Sequence, residues 1–258
     1  MARRFLLWFG LALLSGGAML PVFASDKVSV VVGVYPFSPF VHEDKANSLI
    51  SGATVELVEA LNQLQGNYNF SLVMTSPAGR YRDFERGLFD VMMFESKLWG
   101  WQGIPISASQ VYLKGSEVYI ALKQEGRDKS FFDDLNSKVM IGIHGYHYGF
   151  AGFNNDVVHL KQNFKMLLTH SNLSSIRMLL GSRGDVAVVT RSNLNNYLKD
   201  NPDDADKIMI SDRIDQEYNH TILVREGHSI TPQQLNSWLD TLSDSGVLEN
   251  IWDKWGLQ

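Results

Sequence analysis

The run Phe94-Glu95-Ser96-Lys97-Leu98-Trp99-Gly100-Trp101 closes an apolar stretch that begins at Phe89. An acid, a lysine and two indoles thus follow what reads as a strand buried on both faces. In open α/β sheets, ligands collect beyond the carboxyl ends of strands. Other groups share this placement. Tyr35 and Phe37 stand in Tyr35-Pro36-Phe37-Ser38-Pro39-Phe40, after the valine-rich segment Val28 to Val34. Two prolines cannot continue a central strand, so these aromatics belong to an ordered loop. Tyr146 and Tyr148 lie in the glycine-bounded loop 144–149, after the apolar segment Val139 to Ile143. Arg80 follows the loop Ser76-Pro77-Ala78-Gly79, and Arg191 follows the apolar segment Val186 to Thr190.

Two chemistries are open to this set. Glu95 with Tyr35, Phe37, Trp99 and Trp101 suits an amine, because a cation is attracted to an aromatic face by about 0.5–2 kcal/mol. Arg80, Lys97 and Arg191 suit a carboxylate or other anion, which arginine holds through two parallel hydrogen bonds. Both sets serve one ligand only if it is zwitterionic. Alternatively, Glu95 pairs with Lys97 or an arginine within the protein. Of the histidines, only His144 and His147 are closely spaced. Two ligands fall short of a zinc site, so no metal or cofactor is implied.

Several elements must position these groups. Val55, Leu57, Val58, Leu61 and Leu64 recur at helical spacing after Gly52. Tyr68 to Met74 reads as a second strand, and Arg80 to Gly87 as a short charged helix ending on a glycine. Strand, helix, strand, helix, strand makes an α/β lobe. Past a polar break at Gln124 to Lys129, a helical turn is expected at Ser130 to Leu135, capped by Ser130 or Asp133. Strands at Val139 to Ile143, Val186 to Thr190 and Ile208 to Ile210, with helices at Ser171 to Leu180 and Asn193 to Leu198, build a second α/β lobe. A strand at His220 to Val224 precedes a helix with Thr231 as cap and Pro232 in its first turn. Asp90 and Asp185 are expected to cap turns or helices.

Composition bounds the rest. Arg3 and Arg4, the apolar stretch Phe5 to Leu14 and the small-residue end Val22-Phe23-Ala24 read as a secretory signal peptide cut after Ala24. Its loss takes the formal charge from −5 to −7, against a nucleic-acid partner. The 258-residue chain has no cysteine, yet is long enough to bury a core without disulfides. These features lead to a soluble, monomeric, periplasmic protein.

The order of elements resembles the periplasmic solute-binding proteins of family 3, the polar amino-acid binders of ABC transporters. The resemblance is carried by Val32-Gly33-Val34 with Pro36 to Phe40, Gly52 to Leu57, Gly87-Leu88-Phe89-Asp90-Val91, Asp134-Leu135 with Val139 to Ile143, Gly184-Asp185-Val186-Ala187, and Gly246 to Trp255. It implies two α/β lobes joined by a two-strand hinge near Tyr119 and Tyr218, with the second lobe inserted in the first. Lobe one would comprise 25–122 and 216–258, and lobe two 123–215. It also implies that the loop holding Tyr146 and Tyr148 faces the cleft. The family's arginine after the third strand is replaced here by Glu95-Ser96-Lys97-Leu98-Trp99. Its lobe-two aspartate is replaced by Thr190, followed by Arg191. The implied function is capture of a small polar or charged solute for an ABC permease or a membrane sensor. Two alternatives share the fold: a dehydratase acting on cyclic acids, with Glu95 as its acid or base, and a derivative that no longer binds a solute.

Overall fold

The computed structural model describes residues 27–44, 46 and 49–257. The expected signal peptide lies outside them. Lobe one opens with β1 (Val28–Val34), the short strands β2 (His42–Asp44) and β3 (Leu49–Ser51), helix α1 (Ala53–Leu64), β4 (Tyr68–Met74), α2 (Arg80–Glu85) and β5 (Val91–Glu95). After β6 (Ile106–Ala108), β7 (Leu113–Leu122) crosses into lobe two. That lobe contains β8 (Met140–Ile143), α3 (Val157–Phe164), β9 (Leu167–Thr169), α4 (Asn172–Leu180), β10 (Val186–Thr190), α5 (Arg191–Asp200) and α6 (Pro202–Ala205). The return is β11 (Ile208–Arg225), and α7 (Pro232–Asp244) and α8 (Val247–Trp255) finish the chain.

One continuous sheet path runs β4-β1-β5-β11-β7-β10-β8-β9. β1 pairs in parallel with β4 and β5, and β8 with β9 and β10. β11 runs antiparallel to β5, β6 and β7. The separate strands expected at 208–210 and 220–224 are therefore one strand of 18 residues. The polar run Ser211-Asp212-Arg213 hides this continuity. Pairing with β7 persists from Ile208↔Leu122 to His220↔Leu113, with register shifts between Ile210, Ile214 and Gln216. β7 likewise starts at Leu113, four residues before the expected Glu117.

Each lobe has its own apolar core. In lobe one, Val30, Val32, Leu57, Leu61, Val91, Leu223, Leu235 and Leu239 are fully or almost fully buried. In lobe two, Met140, Val186 and Val188 pack on one face of the sheet, and Ile141, Ile176, Ala187 and Val189 on the other. Continuous apolar segments suit such strands, covered on both faces. Gly52 opens α1 at φ 126, where a Cβ would meet the Phe40 carbonyl oxygen at 2.3 Å. The turn at 129–132 is capped by Asp128, which accepts from the Ser130 N–H at 2.9 Å, rather than by Ser130 or Asp133.

Asp90 and Asp185 cap neither turns nor helices. Asp90 accepts from the Val31 N–H at 2.9 Å and donates its own N–H to the Val31 carbonyl at 2.8 Å. Asp185 does the same with Val139, at 2.8 Å in both directions. Each aspartate thus clamps the neighbouring parallel segment of its lobe. Asp185→Ala leaves the half-buried Val139 N–H unmet. It should cost roughly 1–3 kcal/mol, seen as a lower urea midpoint with an unchanged slope.

Candidate functional site

The end of β5 carries Glu95 to the rim of lobe one, and the start of α2 brings Arg80 to it. Both side chains are buried, Arg80 at 2% exposure and Glu95 at 0%, and they lie 3.2 Å apart. Trp101 donates its indole N–H to Glu95 Oε1 at 3.0 Å, and the Tyr35 hydroxyl donates to Oε2 at 3.2 Å. Arg80 also donates to the Trp99 carbonyl at 3.2 Å and to the Pro77 carbonyl. The rings of Tyr81 and Tyr35 stand 4.4 and 5.2 Å from its guanidinium carbon. Burial pushes the Glu95 carboxyl upward, while Arg80 and the Trp101 and Tyr35 hydrogen bonds oppose it. With two neutral donors and the Arg80 cation on it, Glu95 is held as the carboxylate.

Against this rim lies a cavity of about 20 Å³ lined by Tyr35, Phe37, Arg80 and Trp99 from lobe one, Gly145, Tyr146 and His147 from lobe two, and Glu117 and Gln216 from the crossing strands. That is room for about one water. The lobes are stitched around it. Trp99 donates its indole N–H to Gln216 Oε1 at 3.1 Å, and Gln216 passes its own amide N–H to the His147 carbonyl. Phe37 meets Tyr146 edge-on at 5.7 Å. Gly145, at φ 82, approaches so closely that a Cβ there would stand 2.9 Å from the Ala78 nitrogen.

Glu117 is 3% exposed. Its Oε1 accepts from the Thr190 hydroxyl at 2.9 Å and from the Tyr218 hydroxyl at 3.4 Å. Its Oε2 has no protein partner. Burial, reinforced by the charge of Asp215, pushes the carboxyl up to about 8 against the Thr190 bond. His147 is pushed down to about 3, by burial first and then by the Arg80 charge. His220 lies among Phe37, Phe40, Phe94, Trp99 and Tyr218, and burial takes it to about 3 also.

Among the described residues, the buried side-chain atoms without a protein partner are Arg80 Nε, Glu117 Oε2, His147 Nδ1 and both ring nitrogens of His220. Three of these five belong to residues that line the one small cavity. A buried unmet polar group costs about 1–3 kcal/mol, and three such costs fall on residues around this cavity.

The chain was compared with known proteins. No family model matches it, and no curated protein does. Solved structures do match. One is a putative ABC-transporter binding component from Wolinella succinogenes complexed with lysine: 16% identity over 89% of this chain and 96% of that one, TM-score 0.70. A Streptococcus pneumoniae ABC uptake transporter substrate-binding protein with bound histidine gives 17%, 88%, 92% and 0.69. An ancestral amino-acid-binding protein, described as a precursor of cyclohexadienyl dehydratase, gives 18%, 89%, 96% and 0.66. The fold is that of the two-lobed periplasmic binding proteins. In such a fold, a cavity walled by both lobes and by the strands that join them changes shape as the lobes move.

Of the residues expected at a site, Tyr35, Phe37, Arg80, Trp99 and Tyr146 line the cavity. Glu95 and Trp101 stand behind Arg80 and hold it. Four others lie apart from this cavity. Lys97 is exposed and turned away, because the chain leaves the strand at Ser96. Tyr148 is fully buried in the core of lobe two, where its hydroxyl accepts from the Ile143 N–H at 2.6 Å. Arg191 lines a separate 530 Å³ recess with Lys114 and Glu217. Thr190 acts through Glu117, held by a two-way hydrogen bond with Asn172 at 3.1 Å. Sequence reasoning missed Glu117 and Gln216 as cavity residues, while His147 lies in the loop that the resemblance turned toward the cleft. The signal for Glu117 was available: an acid heading the apolar run Val118 to Leu122.

Arg80→Met should cost about 3–5 kcal/mol, since it strands Glu95 buried without its cation; the urea midpoint reads this. The two neutral histidines bind fewer protons folded than unfolded between about pH 3 and 6.5. Their contribution is therefore lost as pH falls through that window. His220→Phe should lose less melting temperature than the wild type between pH 7 and 5.

Proposed function

We propose that this protein is a periplasmic solute-binding protein that captures a small polar solute between its lobes. It would then present the closed form to an ABC permease or a membrane sensor. The observation that carries this reading is that three residues with unmet buried polar atoms line one cavity: Arg80 (Nε) from α2, Glu117 (Oε2) from the crossing strand β7 and His147 (Nδ1) from lobe two. A ligand that satisfies them all touches both lobes and so favours the closed arrangement. Tyr146 lines the inner cavity and also a 680 Å³ cleft at the mouth of the lobes. A solute larger than water would enter the inner cavity when Tyr146 and its lobe swing outward.

The reading assigns residues 1–24 to a cleaved leader, 25–122 and 216–258 to lobe one, and 123–215 to lobe two, with the protein acting as a monomer. It is supported by the solved structures of like fold whose titles describe binding proteins with lysine or histidine bound. A dehydratase is the second reading, favoured by the dehydratase-precursor neighbour. Glu95 does not serve it, being committed to Arg80; an acid there would have to be Glu117.

The test is a thermal-shift screen of the mature protein against amino acids, amines, carboxylates and cyclic acids, followed by small-angle X-ray scattering. A solute at a hundredfold over its dissociation constant should add about 2.7 kcal/mol to stability and reduce the radius of gyration. Trp99→Ala should weaken that solute's binding. Absence of any shift across the panel, or a shift without compaction, contradicts the proposal.

A further inference from the structure

The Arg80–Glu95 pair removes two charges from the account of the cleft and leaves one group uncommitted. Arg80 cannot grip an anion through a two-bond fork. Its Nη2 hydrogens go to Glu95 and the Trp99 carbonyl and one Nη1 hydrogen to the Pro77 carbonyl, so neither pair of parallel N–H groups that includes Nη2 is open and the nitrogen without a partner is Nε. A cation meets the reverse situation: the aromatic rings of Tyr35, Phe37, Trp99 and Tyr146 and one carboxyl with a vacant oxygen. The groups around that carboxyl are the Thr190 and Tyr218 hydroxyls on Oε1, the charge of Asp215, the phenols of Tyr146 and Tyr148, and Arg80 and His147 across the cavity. None of these occupies Oε2.

Resting on the solute-binding reading, we infer that Glu117 is the counter-ion for a positively charged nitrogen of the bound solute, and that the solute's arrival drives the proton off this carboxyl. The O–H bond breaks, its electron pair stays on the carboxylate, the proton leaves to solvent and the ammonium keeps its own. Arg80 Nε then donates to an acceptor oxygen elsewhere on the same solute. Amino alcohols and amino acids both carry that pattern of ammonium and oxygen, whereas a plain diamine lacks the oxygen.

Buried as it is in this arrangement of the lobes, the carboxyl is pushed up to about 8 and is neutral at pH 7. Binding at pH 7 should therefore release close to one proton per solute. Affinity should rise about tenfold from pH 6 to 7, since one unit of pKa is a factor of ten, and level off above about pH 8. Glu117→Gln replaces a neutral acid by a neutral amide of the same shape, so the variant should fold, as its melting curve will show.

The experiment is titration calorimetry of the mature protein with ethanolamine, putrescine, glycine, lysine and succinate. Proton release is read in weakly buffered salt with a pH indicator. At least one ammonium probe should bind with the proton release and pH dependence stated. Glu117→Gln should lose at least tenfold in affinity together with both pH effects. Ethanolamine against glycine or lysine tells which oxygen Arg80 takes, and putrescine tells whether it needs one. Binding of an ammonium probe without proton release, or unchanged binding by folded Glu117→Gln, overturns the inference. Binding of succinate alone overturns it while leaving the solute-binding reading in place. No binding by any probe overturns both.

Discussion

Everything at the cleft depends on one buried ion pair. Arg80 and Glu95 arise from different elements of lobe one, and neither is reached by water. Isolated, each charge would be costly to bury, and together they need further hydrogen bonds to complete them. Trp101, Tyr35 and the carbonyls of Trp99 and Pro77 supply these. The aromatic residues of the rim are thus a scaffold for the pair before they are a wall for a ligand. Both charges are spent inside lobe one, and the polar residues Glu117, Gln216 and His147 that also line the cavity lie on the crossing strands and in lobe two.

Those groups sit where the two lobes join. Glu117 pairs across β7 and β10 with Thr190, and across β7 and β11 with Gln216. Both neighbours take part in the polar network around the cavity, Thr190 through Glu117 and Gln216 through Trp99 and His147. The register shifts in β11 lie immediately beside this point. Glu117 therefore lies on a strand that links the lobes, between β10 and β11.

Much of the architecture was legible in the sequence because it rests on local patterns. The apolar strands, the helix after Gly52 and the ending Gly246 to Trp255 need only periodicity and a glycine to be read. The length of β11 was not legible, because its middle is polar and its pairing partner lies far away in the chain. The choice of partner for Glu95 was open for the same reason: Lys97 is two residues away, but the chain leaves the strand at Ser96 and turns at Lys97, which is exposed, and the fold of α2 onto β5 brings Arg80 in. Tyr148 looked like a cleft residue by its loop, yet its ring turns into the core. Glu117 was passed over because an apolar strand drew attention away from the acid at its head.

The most direct measurement is the titration of the Glu117 side-chain carboxyl by carbon NMR, assigned with Glu117→Gln. In the free protein the account predicts a transition near pH 8. With the tightest-binding ammonium solute at saturation, the resonance should already be that of the carboxylate at pH 7. A free carboxyl that titrates in the ordinary range near 4.3, or one whose transition does not move when the solute binds, would contradict the account.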